Sequence, residues 1–425
     1  MPRLLLDTEI DVDVDVAIVG AGFTGLWSAY YLHQADPSIR VALIERDVAG
    51  FGASGRNGGW VSSSLPMSAA SIVAMGGPDA AVRMHQAMIG AVDEIGDVIG
   101  RLDVDCHFVK GGRLRFARNA AQERRVLTSL TERSKDGIDD AVWLDAQGAL
   151  SHARVSHVRG AMFTPNCARV HPGRLVLGLC RHLEGSNVQI LEETTVTSIA
   201  SRRIITDRGL INAATVVLAT EAFTSTLHGY RRAVAPLSSL MVATEPLPAS
   251  IWDEIGLAGF ETFNDARLSV IYGQRTFDGR LAFGGLRSPY QFGSRISSDY
   301  ERQRSVFEDL RRALVDLFPM IGDSAITHRW GGVFGLPRDG WCRVGYDQLT
   351  GMAWAGGYAG YGVAASNLAG RTLTDLILER QSELVSLPWV GSRSAPWARE
   401  PARWLWLGGS SIKRRIRDRL DARHE

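Results

Sequence analysis

The segment Val16-Ala-Ile-Val-Gly20-Ala-Gly22-Phe-Thr-Gly25-Leu-Trp-Ser-Ala-Tyr-Tyr-Leu32 has the pattern of a strand, a tight turn and a helix. In such a turn the first glycine permits the sharp bend, and the second lets a pyrophosphate approach the backbone. The third glycine lets the helix pack closely against the strand. The helix N-terminus adds free N–H groups and a positive dipole end. The segment therefore predicts a dinucleotide phosphate site.

A second apolar strand, Arg40-Val-Ala-Leu-Ile-Glu45, ends in an acidic side chain that is expected to bind ribose hydroxyls. A glycine turn in an unrelated α/β unit is the alternative explanation of the first motif. Two more glycine-rich segments, 52–59 and 356–363, follow later in the chain. Their backbone amides would approach a ligand closely, whereas the alternatives are a surface linker and an ordinary helix cap.

Length and composition exclude several classes of protein. The 425-residue chain is too long for one ordinary domain, and its 45% hydrophobic and 22% charged residues are typical of a globular protein. A formal net charge of +1 predicts no nucleic-acid partner. The four cysteines, Cys106, Cys167, Cys180 and Cys342, have no metal-ligand spacing, so we expect no metal site.

The sequence contains no pattern of a targeting or membrane-spanning segment. The stretch before the first strand is acidic and does not resemble a signal peptide. No uninterrupted apolar run reaches the roughly 18 residues that a transmembrane helix needs. We therefore expect a reduced, cytoplasmic protein.

Four separated motifs follow one another along the chain: Gly20-x-Gly-x-x-Gly25 with Glu45, Gly52-Ala-Ser-Gly-Arg-Asn-Gly-Gly59, Val216-Val-Leu-Ala-Thr220 and Gly356-Gly-Tyr-Ala-Gly-Tyr-Gly-Val363. Together they resemble the motifs of FAD-dependent oxidoreductases of the D-amino-acid oxidase, glycine oxidase and sarcosine oxidase superfamily. Within this superfamily the chain is most similar to the bacterial gamma-glutamylputrescine oxidase-like branch. The resemblance extends over residues 15 to about 380.

The resemblance implies an α/β fold with a discontinuous Rossmann-like FAD-binding domain and a second domain built on a mixed β-sheet. This is the glutathione-reductase-like, amino-acid-oxidase architecture. The FAD-binding domain is expected over residues 12–90, 145–225 and 326–385, and the substrate domain over 91–144 and 226–325. Residues 386–425 are expected to form a C-terminal tail with an amphipathic basic helix.

In that tail, Ile412, Ile416 and Leu420 fall on one helical face. This spacing predicts a helix that docks on the body of the protein with its basic face in solvent. A helix on a membrane surface, assisted by Trp404 and Trp406, is the alternative.

The resemblance also implies which residues bind FAD. They are Gly20, Gly22, Phe23, Thr24, Gly25, Glu45, Arg46, Gly52, Ala53, Ser54, Arg56, Asn57, Gly58, Gly59, Val196, Ala219, Thr220, Gly357, Gly360, Tyr361, Gly362 and Val363. Some relatives attach FAD through a cysteine near the position of Trp330, but the segment 328–334 contains none. We therefore expect non-covalently bound FAD.

The implied reaction is oxidation of the C–N bond of an amine or amino acid by hydride transfer to flavin N5, followed by imine hydrolysis. Reoxidation by oxygen, with a peroxide product, and reoxidation by another acceptor both stay open. Sarcosine-oxidase-like proteins place a lysine over the flavin to assist oxygen, and the comparable segment 279–285 has none. A flavin-dependent dehydrogenase, an NAD-dependent dehydrogenase and a flavin-binding protein without turnover are the alternatives.

Five side chains are candidates for the reacting centre: Tyr361, Trp330, Asn57, Tyr272 and Arg275. Aromatic residues there, with Trp60 and Tyr358, would surround an amine through cation–π contacts, and core packing is the alternative for each. If the substrate carries a carboxylate, Arg275 or Arg287 with Tyr272 would bind it, and the alternative is that these are surface arginines.

Overall fold

Two eight-stranded sheets, a two-stranded sheet and eleven α-helices form the part of the chain that the computed structural model describes, residues 10–286 and 289–422. The strands are β1 (Ile10–Val19), β2 (Val41–Ile44), β3 (Trp60–Ser62), β4 (Arg113–Ala117), β5 (Val142–Asp145), β6 (Gly160–Thr164), β7 (Cys167–Arg169), β8 (Val188–Leu191), β9 (Val196–Ala200), β10 (Arg203–Thr206), β11 (Gly209–Leu218), β12 (Ala235–Thr244), β13 (Thr262–Asp265), β14 (Ile271–Arg275), β15 (Leu281–Gly285), β16 (Ile326–Leu336), β17 (Arg343–Asp347) and β18 (Met352–Gly356). The helices are α1 (Phe23–Ala35), α2 (Ala53–Arg56), α3 (Ala69–Gly76), α4 (Pro78–Arg101), α5 (Ala120–Lys135), α6 (Ala146–His152), α7 (Pro172–Leu183), α8 (Ala249–Ile255), α9 (Arg304–Leu317), α10 (Gly362–Ile377) and α11 (Ala402–Asp421).

The first sheet has the strand order β17-β18-β11-β1-β2-β8, and β9 and β10 extend it beside β11. Strands β18, β11, β1, β2 and β8 run parallel to their neighbours, as expected when helices connect them. Helices α1 and α10 pack against each other on one face, where Gly370 lies so close to the backbone of Trp27 that a side chain would collide. The first glycine motif thus lies at the centre of a Rossmann-like sheet.

The second sheet has the strand order β16-β12-β15-β14-β13-β4-β6-β5 and is mixed, because β13 and β4 are parallel while the other pairs are antiparallel. One face packs on α8 and α9 through buried side chains that include Leu114, Phe263 and Phe283. Since side chains alternate along a strand, the opposite face directs the other half of the side chains towards the first sheet.

Strand pairing differs from the predicted domain division at two points. Strand β6 lies within the segment 145–225, and β16 lies within 326–385, yet both belong to the second sheet. Strand β6 pairs with β4 and β5, while β16 pairs along the whole of β12. A strand pattern in the sequence identifies the strand but not its partner, and the division into domains stays a prediction.

Helix α11 docks through a different face from the one predicted. The carboxylate of Asp418 accepts hydrogen bonds from the backbone N–H groups of Leu268 and Ser269, both at 2.7 Å. The side chains of Ile412 and Ile416, predicted to face the body, are instead 61% and 51% exposed. None of the described helices is long and apolar enough to cross a membrane.

Candidate active site

A cavity of about 480 Å³ lies between the two sheets. Its lining includes the C-terminal end of β1 at Val19, the end of β2 at Ile44, and Ala219, which directly follows β11. The second sheet contributes Tyr272 of β14 and Asn264 of β13 from the other side. The crevice outside the carboxyl ends of parallel strands is where α/β sheets bind ligands.

Close backbone contacts in the turn between β1 and α1 leave no room for a side chain at two of its glycines. Gly20 has a φ of +105°, and a Cβ there would lie 2.7 Å from the carbonyl oxygen of Ala219. A Cβ on Gly25 would lie 2.0 Å from the carbonyl oxygen of Gly20, so only glycine permits α1 to begin this close to the strand. The start of α1 at Phe23 and Thr24 therefore lines the cavity.

The acid at the end of β2 faces the same cavity. Glu45 accepts hydrogen bonds from the backbone N–H groups of Ala21, at 3.0 Å, and Asp47, at 3.1 Å. Burial raises its pKa, and these two bonds partly oppose the shift. The neighbouring Arg46 guanidinium lies 5.0 Å from the ring centre of Phe223. This end of the cavity has the polar and flat surfaces that suit a nucleoside.

The segment 52–59 contains the short helix α2 and lies along one side of the cavity. The Ser54 hydroxyl accepts a hydrogen bond from Phe23 N at 2.8 Å and so joins this segment to the first glycine turn. Asn57 donates to the carbonyl oxygens of Ala53 and Ser54, and its own oxygen accepts from Gly59 N. Its amide thus holds the loop, although Asn57 lines the cavity.

The N-terminus of α10 supplies another part of the lining. Gly360, Tyr361, Gly362 and Val363 all line the cavity, and Tyr361 is 40% exposed, which excludes simple core packing. The first N–H groups of a helix have no partner within it, so this turn offers donors and a positive dipole end to the cavity.

Most of the predicted residues meet in this one cavity. The lining contains Gly20, Gly22, Phe23, Thr24, Glu45, Arg46, Gly52, Ala53, Ser54, Arg56, Asn57, Gly58, Val196, Ala219, Thr220, Tyr272, Gly360, Tyr361, Gly362 and Val363. Gly25, Gly59 and Gly357 are not in it, and a Cβ on each would collide with surrounding protein atoms.

Two of the predicted reacting-centre residues lie outside the cavity lining. The Trp330 indole N–H donates to the carbonyl oxygen of Arg56 at 2.9 Å, so it anchors α2 to β16. The Arg275 guanidinium lies 4.3 Å from the ring centre of Trp252 and 5.1 Å from that of Phe260, on the opposite side of the sheet. Arg287 lies outside the described residues.

Glu221 is a cavity residue that the motif analysis missed. Its carboxylate accepts hydrogen bonds from the backbone N–H groups of Gly335 and of Tyr358, the latter at 3.1 Å. Burial raises its pKa to about 7, and the bonds from the backbone oppose that shift. The sequence did contain a signal for this residue. It is an acidic side chain shortly after the motif strand β11, in an otherwise apolar stretch.

Comparison with known proteins gives the family. A family model described as "FAD dependent oxidoreductase" matches residues 15–376. The chain belongs to this family. This FAD-dependent oxidoreductase is 28% identical over 385 residues to "Probable oxidoreductase OrdL" of Haemophilus influenzae, which covers 87% of this chain and 84% of that protein. It is 28% identical over 389 residues to gamma-glutamylputrescine oxidoreductase of Escherichia coli, with 89% and 87% covered.

The solved structure of glycine oxidase from Geobacillus kaustophilus matches this oxidoreductase with a TM-score of 0.76. The two chains are 22% identical, and the match covers 91% of this chain and 100% of that one. This likeness confirms the predicted two-domain α/β fold. The family match confirms the predicted enzyme class, a flavoprotein oxidoreductase, and its cofactor, FAD.

We expect Glu221→Gln to change how the stability of the holoenzyme depends on pH. The folded-state pKa of about 7 exceeds the ordinary value of 4.5, so folding takes up a proton between these values. The stabilisation from this group is fully present below its unfolded pKa and is lost as the pH rises through the folded pKa. The difference is on the order of 3 kcal/mol, since one pKa unit corresponds to about 1.4 kcal/mol.

Melting temperatures measured from about pH 5 to 8 test this expectation. The unmodified protein should lose stability relative to the glutamine variant as the pH rises. Parallel curves would show that Glu221 does not titrate in this range.

Proposed function

We propose that this protein oxidises the C–N bond of an amine or amino acid, with FAD held non-covalently in the cavity between the sheets. The observation that carries the proposal is the continuity of that cavity. It runs from the turn at Gly20 and Gly22 past the α10 turn to Tyr272 on the second sheet. The relative named gamma-glutamylputrescine oxidoreductase supports an amine as the substrate class.

The residues present fit FAD along the whole cavity. Glu45 and Val196 would hold the adenosine, and the turn at Gly20 to Gly22, with the start of α1, would hold the pyrophosphate. The segment 52–58 and the α10 turn would flank the flavin. When bound, FAD supplies a ring that accepts a hydride equivalent. The α10 N-terminus would stabilise negative charge at its side of the cavity.

The second sheet would bind and orient the substrate. The rings of Trp60 and Tyr272 meet edge to face with centres 5.8 Å apart, and both residues line the cavity with Tyr361. Their faces suit a cationic amine, and their apolar bodies would exclude water from the reacting carbon. The Tyr272 hydroxyl is 3.1 Å from the hydroxyl of Ser239, which fixes the ring in place.

A flavin-dependent dehydrogenase with an acceptor other than oxygen is the second candidate. Lysine is absent from the described residues that line the cavity, and the cation there on the second sheet is Arg113. The missing lysine supports an acceptor other than oxygen.

We expect the flavin of the holoenzyme to be bleached under anaerobic conditions by at least one member of a panel of amines and amino acids. The measurement is the flavin absorbance near 450 nm, an approximate general property of oxidised flavin. Admitting oxygen then tests peroxide formation, and an artificial dye tests other acceptors. Bleaching by NADH or NADPH but by no amine would contradict the proposal.

We expect acid precipitation to release all of the flavin into the supernatant. Each of the four cysteines is buried, and none is among the described residues that line the cavity. Burial raises the pKa of the Cys342 thiol to about 12, which disfavours the reactive thiolate. Yellow colour that stays in the washed pellet would mean a covalent bond.

A further inference from the structure

Exposed apolar side chains are concentrated on the outer face of α11. Leu405, Ile412, Ile416 and Leu420 recur at helical spacing, and all four are exposed. These four residues form what we call the apolar stripe. It runs along most of a helix that has 20 residues. A contiguous apolar surface that faces solvent marks a site of contact with another protein or with a membrane.

Aromatic side chains extend the exposed surface at the start of α11. Trp404 and Trp406 are both exposed. The Glu400 carboxylate accepts hydrogen bonds from Trp404 N at 3.0 Å and from Gly293 N at 3.1 Å. These bonds bring Phe292, which is 55% exposed, next to the same end of the helix. Tryptophan suits a boundary between water and an apolar phase, because it joins a large apolar body to an N–H group.

The opposite face of α11 is fixed to the body of the protein. Arg403 and Leu407 are buried near the start of the helix. Further along, Asp418 accepts hydrogen bonds from two backbone N–H groups before β14, and Asp421 pairs with Arg125 of α5. Because these contacts extend along the whole helix, α11 cannot turn its apolar stripe inward without breaking them.

Basic side chains border the apolar stripe on both sides. At about 100° of rotation per residue, Arg415 and Arg419 fall on one side of the stripe, and Lys413 and Arg417 fall on the other. All four are exposed, and we call them the basic edges. The two acids of the helix belong to the docked face described above. The outer face of α11 therefore presents an apolar centre between two positive edges.

This charge pattern disfavours a second copy of the chain as the occupant of the stripe. If two α11 helices paired through their stripes, the basic edges of one would face those of the other. Reversing one helix does not relieve the repulsion, because both edges carry the same sign. An anionic surface, in contrast, complements both edges at once and covers the apolar centre between them.

We propose that α11 docks this protein on an anionic membrane surface. The helix lies in the plane of the membrane, and the apolar stripe enters the boundary between headgroups and acyl chains. The basic edges meet lipid phosphates, while Trp404 and Trp406 lie at the level of the headgroups. This attachment is peripheral and needs no spanning helix, and none of the described helices is long and apolar enough to be one.

Docking through α11 holds the substrate side of the cavity near the membrane. The N–H groups that bind Asp418 belong to Leu268 and Ser269. The next residue, Val270, lines the cavity and is 44% exposed, so it lies at the open rim. The membrane contact itself does not depend on the proposed reaction, and an experiment on one does not decide the other.

Co-sedimentation of the holoenzyme with lipid vesicles tests the proposal. We expect binding to vesicles that contain phosphatidylglycerol, weak binding to pure phosphatidylcholine, and release by high salt. Absence of binding by the unmodified protein would overturn the proposal. Equal binding to both kinds of vesicle would also overturn it, because the basic edges would then have no part in the contact.

Substitutions in the stripe test which surface makes the contact. The double variant Ile412→Glu, Ile416→Glu should lose binding, since it places two negative charges at the centre of the stripe. Leu349→Glu is the matched control, at a site 93% exposed outside α11, and should retain binding. Equal binding of the double variant, or a dimer in light scattering that the double variant disrupts, would contradict a membrane as the occupant.

Substitutions in one basic edge test the role of charge. The double variant Arg415→Gln, Arg419→Gln should weaken binding to phosphatidylglycerol vesicles about thirty-fold. Its control is Arg83→Gln, Arg203→Gln, which removes two exposed arginines outside α11 and should bind nearly as the unmodified protein does. Flavin content and melting temperature show that each variant is folded. Equal losses in the two double variants would mean that net charge, and not α11, governs the contact.

Discussion

The partly buried carboxylate of Glu221 makes the hydrogen bonds on which the arrangement of the two sheets around the cavity depends. It follows β11 of the first sheet, and it accepts N–H groups from Gly335 in β16 of the second sheet and from Tyr358 before α10. Removing a carboxylate from water is costly, and the backbone donors offset that cost only while all three segments stay together. One side chain therefore fixes the edge of the cavity where the sheets meet.

The turn before α10 is also hydrogen-bonded to the first glycine motif. The Tyr358 hydroxyl lies 2.9 Å from the Thr24 hydroxyl at the start of α1, and both side chains are buried. Burial strongly raises the pKa of Tyr358, so it stays neutral and serves as a hydrogen-bonding link. The N-termini of α1 and α10 are thus joined directly, although their sequences are far apart. Both helix dipoles consequently favour anionic groups within one cavity.

The sequence was informative where chemistry restricts the backbone. Gly20 and Gly25 occupy positions that no other residue fits, so a local pattern predicted the turn, its sheet and its cavity. Sheet membership of β6 and β16 was not accessible, because pairing depends on contacts distant in sequence. The prediction that Tyr272 and Arg275 act together on the substrate, however, conflicts with the alternation of side chains along a strand. Residues three apart point to opposite faces, and only Tyr272 faces the cavity.

The predicted roles of Trp330 and Asn57 illustrate a different limit. Both are polar side chains near the flavin motifs, and in both the polar atoms are used by neighbouring backbone groups. A sequence pattern places such residues near a site but does not tell whether their hydrogen bonds are already taken. Arg113 has the opposite property, since its local sequence resembles an ordinary strand, while no acid in the part of the chain that the structure describes forms an ion pair with it.

The C-terminal helix also contributes to the cavity wall, through the backbone. Asp418 satisfies the N–H groups of Leu268 and Ser269, and the next residue, Val270, lines the cavity while its carbonyl accepts from Leu286 N at 3.0 Å. Leu268 and Ser269 precede β14, and Asp418 of α11 accepts from both of their N–H groups. Helix α11 therefore holds the backbone next to the rim of the substrate side through two hydrogen bonds.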